Sequence, residues 1–234
     1  MKKLIVGILA LSLFVCQFVS YAAKQKDATT LSKYVKERQA EMQSIPADRK
    51  TEIEKLANYV RAQIEAKQTV NLVFICTHNS RRSQMSQIWA SVAIATYQLD
   101  GKINTFSGGT ETTAFNPRAI AALERAGLSI EKPEGKNPHY LIRYNEKSPA
   151  IECFSKVYKD PFNPQTNFAA VMNCSDADKN CPNVVGASFR TAIKYDDPKL
   201  SDGTPEEQQT YDARCKQIAN EMFYLMSQVK KAMQ

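Results

Sequence analysis

Between Leu72 and Ser83 the chain runs from an apolar stretch, Leu72-Val73-Phe74-Ile75-Cys76, through the polar Thr77-His78-Asn79-Ser80-Arg81, into Arg82-Ser83 and a helix-compatible segment. A buried strand that turns straight into a helix can close in few ways. The loop peptides and the helix N-terminus face one point, where the partial positive charge favours an anion. Five residues separate Cys76 from Arg82. That length lets the N–H groups of Thr77, His78, Asn79, Ser80, Arg81, Arg82 and Ser83, together with one guanidinium, converge on a single tetrahedral oxyanion. Cys76 then lies at the bottom of the cradle as a nucleophile, its thiolate favoured by the dipole, the N–H groups and the Ser83 hydroxyl.

From Val70 onward strand-like and helix-like segments alternate, which predicts an α/β fold with a parallel sheet and helices on both faces. Strands are expected at Val70–Ile75, Ile103–Ser107 and Phe168–Met172, with Ala187–Tyr195 leading into a fourth. Ser83–Tyr97 reads as the helix after the first strand. Asn116 is placed to cap a helix with Pro117 at its first position and Gly127 just past its end. Thr204, Pro205 and Glu207 form a capping pattern for a C-terminal helix. Tyr211, Cys215, Ile218, Met222, Leu225 and Val229 make that helix's apolar stripe. Residues 24–68 precede this alternation and read as two helices. The second begins near Pro46 with Ile53, Leu56, Ala57, Val60 and Ile64 on one face, so a helical extension lying on the following domain is expected.

The first 23 residues have the pattern of an export signal: Lys2 and Lys3, an apolar run from Leu4 to Val19, and small residues at Ser20-Tyr21-Ala22-Ala23. Its length falls short of the roughly 20 apolar residues a membrane span needs, so a cleaved, periplasmic or secreted protein without a membrane anchor is expected. A lipoprotein anchor through Cys16 is the minor alternative. Without Lys2 and Lys3, 29 basic residues face 24 acidic ones, a net charge of +5. These charges are scattered and lack an aromatic-interleaved stripe, so they describe a solvated surface and not a nucleic-acid partner. Five cysteines remain after such cleavage, an odd number that disfavours a purely structural disulfide framework. With only His78 and His139 in the chain, and six residues between Cys174 and Cys181, no metal site and no cofactor are expected.

Four motifs occur in order: Cys76-x5-Arg82-Ser83; Gly109-Thr110-Glu111-Thr112 with Phe115-Asn116-Pro117-Arg118; Cys174-Ser175-Asp176-Ala177-Asp178-Lys179-Asn180-Cys181-Pro182; and Tyr195-Asp196-Asp197-Pro198. Together, over roughly residues 69–234, they resemble the low-molecular-weight protein tyrosine phosphatases and the thioredoxin-coupled arsenate reductases of the same fold. The resemblance implies that Cys76 is the nucleophile, that Arg82 binds the oxyanion through a bidentate fork, and that Asp197 is the general acid. It also implies that Asn79 braces the loop. The substrate classes it implies are arsenate, phosphate or phosphotyrosine.

Cys174 and Cys181 decide between the two activities, because the reductases carry two further cysteines at this offset. In that scheme Cys174 resolves the Cys76 adduct and Cys181 takes over the disulfide, which a thioredoxin-like reductant then reduces. Seven helical steps would hold the two Cα atoms about 10.5 Å apart, beyond the ~7 Å a disulfide spans, so the segment has to unwind. An arsenate reductase is the leading expectation. A tyrosine phosphatase is the alternative, and an exported oxyanion-binding or redox-sensing protein a lesser one.

This chain departs from both families in having Arg81 where a cysteine is common and His78 where glycine is usual. Gln87 replaces a glutamate that reductases often use, and Lys199-Leu200 replaces the paired tyrosines of the phosphatases. The chain is also longer than the resemblance implies between Ile130 and Phe168. There His139–Tyr144 and Ile151–Tyr158 read as a strand pair on a sheet edge, and Cys153, like Cys215, reads as a small buried hydrophobe.

Overall fold

A computed structural model describes residues 29–146, 148–231 and 233. The expected export signal and Cys16 lie outside them. Strand β1, Val70–Cys76, pairs in parallel with β2, Ile103–Gly109, on one side and with β6, Phe168–Met172, on the other. Strand β7, Ala187–Ala192, pairs in parallel with β6 and completes a four-stranded sheet of order β2-β1-β6-β7.

Successive strand residues point to opposite faces, and β1 shows the division. Leu72 and Phe74 join a large apolar cluster with α3 (Arg82–Thr96), α4 (Pro117–Arg125) and α6 (Glu207–Lys231). Val73 and Ile75 join a smaller cluster with Cys76, Cys174 and Ala177. Helices therefore cover both faces, but unequally: among the described residues the second face has only α5, the six-residue Ser175–Asn180. The thin side is the one that holds Cys76, Cys174 and Cys181.

The extension is helical as expected, with α1 over residues 29–41 and α2 over Ala47–Glu65. Leu31, Ile45, Ile53, Leu56, Ala57 and Val60 are buried in the same cluster as the sheet and α6, so the extension shares the main core. Tyr34 stacks on Trp89 with ring centroids 5.1 Å apart. Asn116 caps α4, its side chain accepting from the Arg118 and Ala119 N–H groups. Cys215 and Cys153 are fully buried, and burial pushes their thiols up to about 11 and about 12 respectively.

Two expectations need correction. The strand pair of the 131–167 segment does not extend the main sheet. Ser129–Glu131 (β3), Tyr140–Arg143 (β4) and Ile151–Cys153 (β5) form a separate antiparallel sheet, because β3 supplies β4 with a second partner. Lys156–Tyr158 reaches the main sheet, exchanging backbone hydrogen bonds with Gly109 at the end of β2, and Asn163 Nδ2 donates to the Ser107 carbonyl of the same strand at 3.0 Å. Thr204 does not cap α6 with its hydroxyl, which donates to the Ser201 carbonyl. Half of the capping pattern survives, since the Glu207 carboxylate reaches back to the Gly203 N–H at 2.6 Å.

Gly127 ends α4 with φ +99°, and a Cβ there would lie 2.4 Å from the Leu31 backbone nitrogen. The extension is thus seated on a glycine. Gly101 has a similar φ of +75° with nothing within 4 Å of its Cβ position, and so isolates the conformational term. Gly101→Ala is expected to cost about 1 kcal/mol, about 2–4 °C in a domain of this size. Gly127→Ala should lower the melting midpoint at least twice as far. Equal shifts in a calorimetric comparison would show that α1 does not bear on Gly127.

Candidate active site

Loop 77–81 links the end of β1 to the start of α3, and its shape follows from where its carbonyls go. The Cys76 carbonyl accepts from the Thr110 N–H at 3.3 Å and that of Thr77 from the Glu111 N–H at 2.9 Å. His78 accepts from the Ser155 hydroxyl at 2.8 Å and Asn79 from the Gln84 side-chain amide at 3.0 Å. Ser80 accepts from the Asn116 N–H at 2.9 Å and Arg81 from the Met85 N–H at 3.0 Å. Every carbonyl of the turn is therefore engaged by a group outside it. Among the described residues, no protein group accepts from the N–H groups of Thr77, His78, Asn79, Ser80 or Arg81. A turn so arranged presents donors and no acceptors, the requirement for an oxyanion nest.

Left-handed backbone is needed once in this turn. It falls at Asn79, φ +47°, a residue type that tolerates that region. His78 is not among the positive-φ residues, so its replacement of the usual glycine strains nothing. The Asn79 amide donates to the Ser83 hydroxyl at 2.9 Å, while its Oδ1 accepts from the Lys156 N–H at 3.0 Å. Ser83 Oγ in turn lies 3.0 Å from Cys76 Sγ. Gly109 completes the floor: a Cβ there would sit 2.7 Å from the Thr77 carbonyl and 2.9 Å from the Asn79 nitrogen.

Arg82 opens α3 and is 8 % exposed. Its Nη2 donates to Asp197 Oδ2 at 2.7 Å and its Nη1 to the Tyr195 carbonyl at 3.0 Å, while its buried Nε has no partner among the described residues. The expected acid and the expected oxyanion-binding arginine thus meet directly. Asp197 also accepts from the Lys199 N–H and caps a short 3-10 turn at Pro198–Ser201.

Arg81 contributes its N–H to the loop, but its guanidinium is taken up elsewhere. Nε donates to the Tyr211 hydroxyl at 2.9 Å, and the group lies 3.8 Å from Asp202 and 4.0 Å from Asp197. The other loop side chains are likewise engaged. His78 pairs with Glu111 at 3.3 Å, Ser80 donates to the Ala114 carbonyl at 2.6 Å, and Thr77 Oγ1 lies 3.4 Å from Cys174 Sγ. The cradle is therefore built from backbone, Arg82 and the Cys76–Ser83 pair.

Cys174 caps α5, its sulfur accepting from the Ala177 N–H at 3.4 Å, and Cys181 stands at the other end of the helix. Both are free thiols, Cys174 buried and Cys181 partly exposed. Cys76, Cys174 and Cys181 lie in or against one apolar cluster. Arg190 clamps the helix from β7, donating to Asp178 Oδ1 at 2.6 Å and to the Cys181 carbonyl at 3.1 Å.

Sequence reasoning missed Gln84, Ser155 and Lys156. Gln84 is one more polar residue near a helix start, and it carries no signal. Ser155 and Lys156 come from the 131–167 segment, where a lysine between Phe154 and Val157-Tyr158 in an apolar run was the available clue. Lys156 is 2 % exposed, its ammonium 4.4 Å from the Phe154 ring centroid and 5.1 Å from that of Phe162. Burial pulls its pKa below the usual lysine range.

No protein-family model matches the chain. An arsenate reductase of Staphylococcus aureus is 32 % identical over 127 residues, 54 % of this chain and 77 % of that protein. An arsenate reductase of Bacillus licheniformis is 29 % identical over 143 residues, 61 % of this chain and 84 % of that protein. Among solved structures, a low-molecular-weight phosphotyrosine phosphatase of Vibrio cholerae superposes with TM-score 0.45 at 14 % identity, covering 68 % of this chain and 95 % of that one. An arsenate reductase in a phosphate-binding state superposes with TM-score 0.43 at 17 % identity, covering 69 % and 99 %. The sequence relatives, two-thirds or more of whose length is matched, carry the assignment: the chain belongs to the arsenate reductase family of enzymes.

Proposed function

We propose that this enzyme reduces arsenate, with Cys76 as nucleophile and Cys174 and Cys181 as a disulfide relay. The observation that carries the reading is the position of Cys174. Its sulfur touches the hydroxyl of Thr77, the residue next to Cys76, on the face that also holds Cys181. A phosphatase has no use for two further thiols at this place.

Arsenate enters the nest on the free N–H groups and Arg82 Nε. The Cys76 thiolate displaces the hydroxyl of a monoprotonated arsenate, which takes one proton from Asp197 and leaves as water. Cys174 then attacks the Cys76 sulfur, and the S–As electron pair passes to arsenic. Arsenite departs and a Cys76–Cys174 disulfide remains. Cys181 attacks Cys174, frees Cys76 as thiolate and leaves a Cys174–Cys181 disulfide. A dithiol of the thioredoxin type reduces that bridge. The last transfer joins residues that cap opposite ends of α5, so the helix and its Arg190 clamp must open.

Aryl phosphate hydrolysis is the second reading, favoured by the direct Asp197–Arg82 contact. An aromatic substrate, however, would meet Leu200, which is 89 % exposed, in place of tyrosine rings. We further propose that the enzyme acts outside the cytoplasm, on the strength of Lys2, Lys3 and the apolar run that follows. Its reductant would then be an exported dithiol protein.

Arg82→Lys should keep the fold and lose most oxyanion affinity, since an ammonium cannot reproduce the guanidinium's donors. The measurement is protection of Cys76 by inorganic phosphate against iodoacetamide. Undiminished protection in the variant would remove Arg82 from the site.

Cys174→Ser should form the Cys76 adduct yet release no arsenite, whereas Cys181→Ser should stall after one turnover with a Cys76–Cys174 disulfide. Aryl phosphate hydrolysis should survive both changes, because water resolves phosphocysteine. Mass spectrometry of arsenate-treated protein reads both species. If the wild type yields no arsenite with any dithiol donor but hydrolyses phosphotyrosine, the phosphatase reading replaces this one.

A further inference from the structure

The extension's shared core explains how it is attached and leaves open what it does. Arg49, near the start of α2, grips Glu221 of α6 with both ends of its fork, Nε to Oε1 at 2.9 Å and Nη2 to Oε2 at 2.8 Å. The Glu221 side chain is 3 % exposed and that of Arg49 18 %, so this is a desolvated, bidentate pair with fixed geometry. The same guanidinium lies over the ring of Tyr195, its central carbon 4.8 Å from the centroid. Tyr195 is 4 % exposed, and burial followed by the Glu221 charge raises its phenol well above its usual range, keeping the ring neutral under the cation.

Tyr195 is where the oxyanion site is anchored. Its carbonyl accepts from Arg82 Nη1, and Asp197, two residues on, accepts from Nη2. Its N–H donates to the Asn173 carbonyl at 3.1 Å, next to Cys174. Both terminal nitrogens of Arg82 therefore rest on a short segment whose one aromatic side chain is pinned by a residue of the extension.

We propose that Arg49 is a positioning residue of the oxyanion site, acting through Tyr195 to hold Arg82 and Asp197 in register. The extension would then be part of the active-site scaffold and not an independent appendage. This inference rests on the reading of the Cys76 loop as an oxyanion site. Arg82 touches the substrate, and Arg49 sets where Arg82 can go.

The test uses the double variant Arg49→Met/Glu221→Gln, which avoids stranding a buried carboxylate. Leu31→Ala serves as the comparison, loosening the extension on α1 without touching Arg49 or Tyr195. The probe is inorganic phosphate protecting Cys76 against iodoacetamide, read beside the melting curve. The expected result is a protection constant weakened by about 2- to 30-fold in the double variant, the range over which residues that touch no ligand modulate a site. Labelling without phosphate should stay at the wild-type rate, and protection in Leu31→Ala should be unchanged even at an equal loss of melting temperature. Wild-type protection in the double variant, or an equal loss in Leu31→Ala, would overturn the proposal. If the double variant does not melt cooperatively, Arg49→Lys keeps the charges and loses the fork and the planar stack, and it must show the same weakening. Absence of phosphate protection in the wild type would instead sink the oxyanion reading itself.

Discussion

The turn between Cys76 and Arg82 must hold its peptide units with every carbonyl directed outward, and the surrounding structure supplies what that orientation requires. Six carbonyls need six donors, drawn from the β2–α4 connection, from α3 itself and from the segment after β5. Without those donors the peptides would satisfy one another as ordinary turns, and the N–H groups would no longer face a common centre. The absence of a side chain at Gly109, the left-handed Asn79 and the buried Gln84 serve the same end. The separate β3-β4-β5 sheet, which looks ornamental by topology, delivers Ser155 and Lys156 to the back of the loop.

The division of the core into two unequal clusters bears on the proposed chemistry. One face of the sheet is buried under α3 and α6 and stabilised by most of the apolar surface. The other carries Cys76, Cys174 and a six-residue helix. A short helix held by a few polar clamps is a low-stability element, and local opening draws on such elements first. The relay proposed for Cys174 and Cys181 needs a segment of this kind, so the distribution of stability and the chemistry agree.

The strand at Val70, the Asn116–Pro117 cap, the α6 stripe and the Cys76–Arg82 spacing were legible because each is a local pattern of burial or backbone chemistry. Cys76, Ser83, Asn79, Arg82 and Asp197 are indeed brought together, and Thr77 links Cys174 to them. Arg81 was less legible: its sequence position places its N–H in the loop, but Tyr211 and Asp202, more than a hundred residues on, decide where its guanidinium goes. Gln84, Ser155, Lys156 and Arg49 share that difficulty. Their roles are pairings between distant segments, and nothing local distinguishes a lysine bound for a buried ring pair from one bound for solvent. The 131–167 segment reads as a strand pair, but its second strand stops at Cys153 and the pair belongs to a separate sheet, since the partner that completes it, β3, is only three residues long.

Trp89 is the only tryptophan in the sequence. It is fully buried, stacked against Tyr34 of α1, and its indole N–H lies 3.2 Å from Cys215 Sγ on α6. One chromophore thus touches the extension, the helix that starts at the oxyanion loop, and the C-terminal helix at once. Its emission is an internal gauge: a thiol so close to an indole drains its excited state, and any lifting of α1 changes both the solvent and the quencher it sees. The protein can therefore be watched unlabelled, and the seating of the extension can be followed in the same sample in which the chemistry at Cys76 is measured.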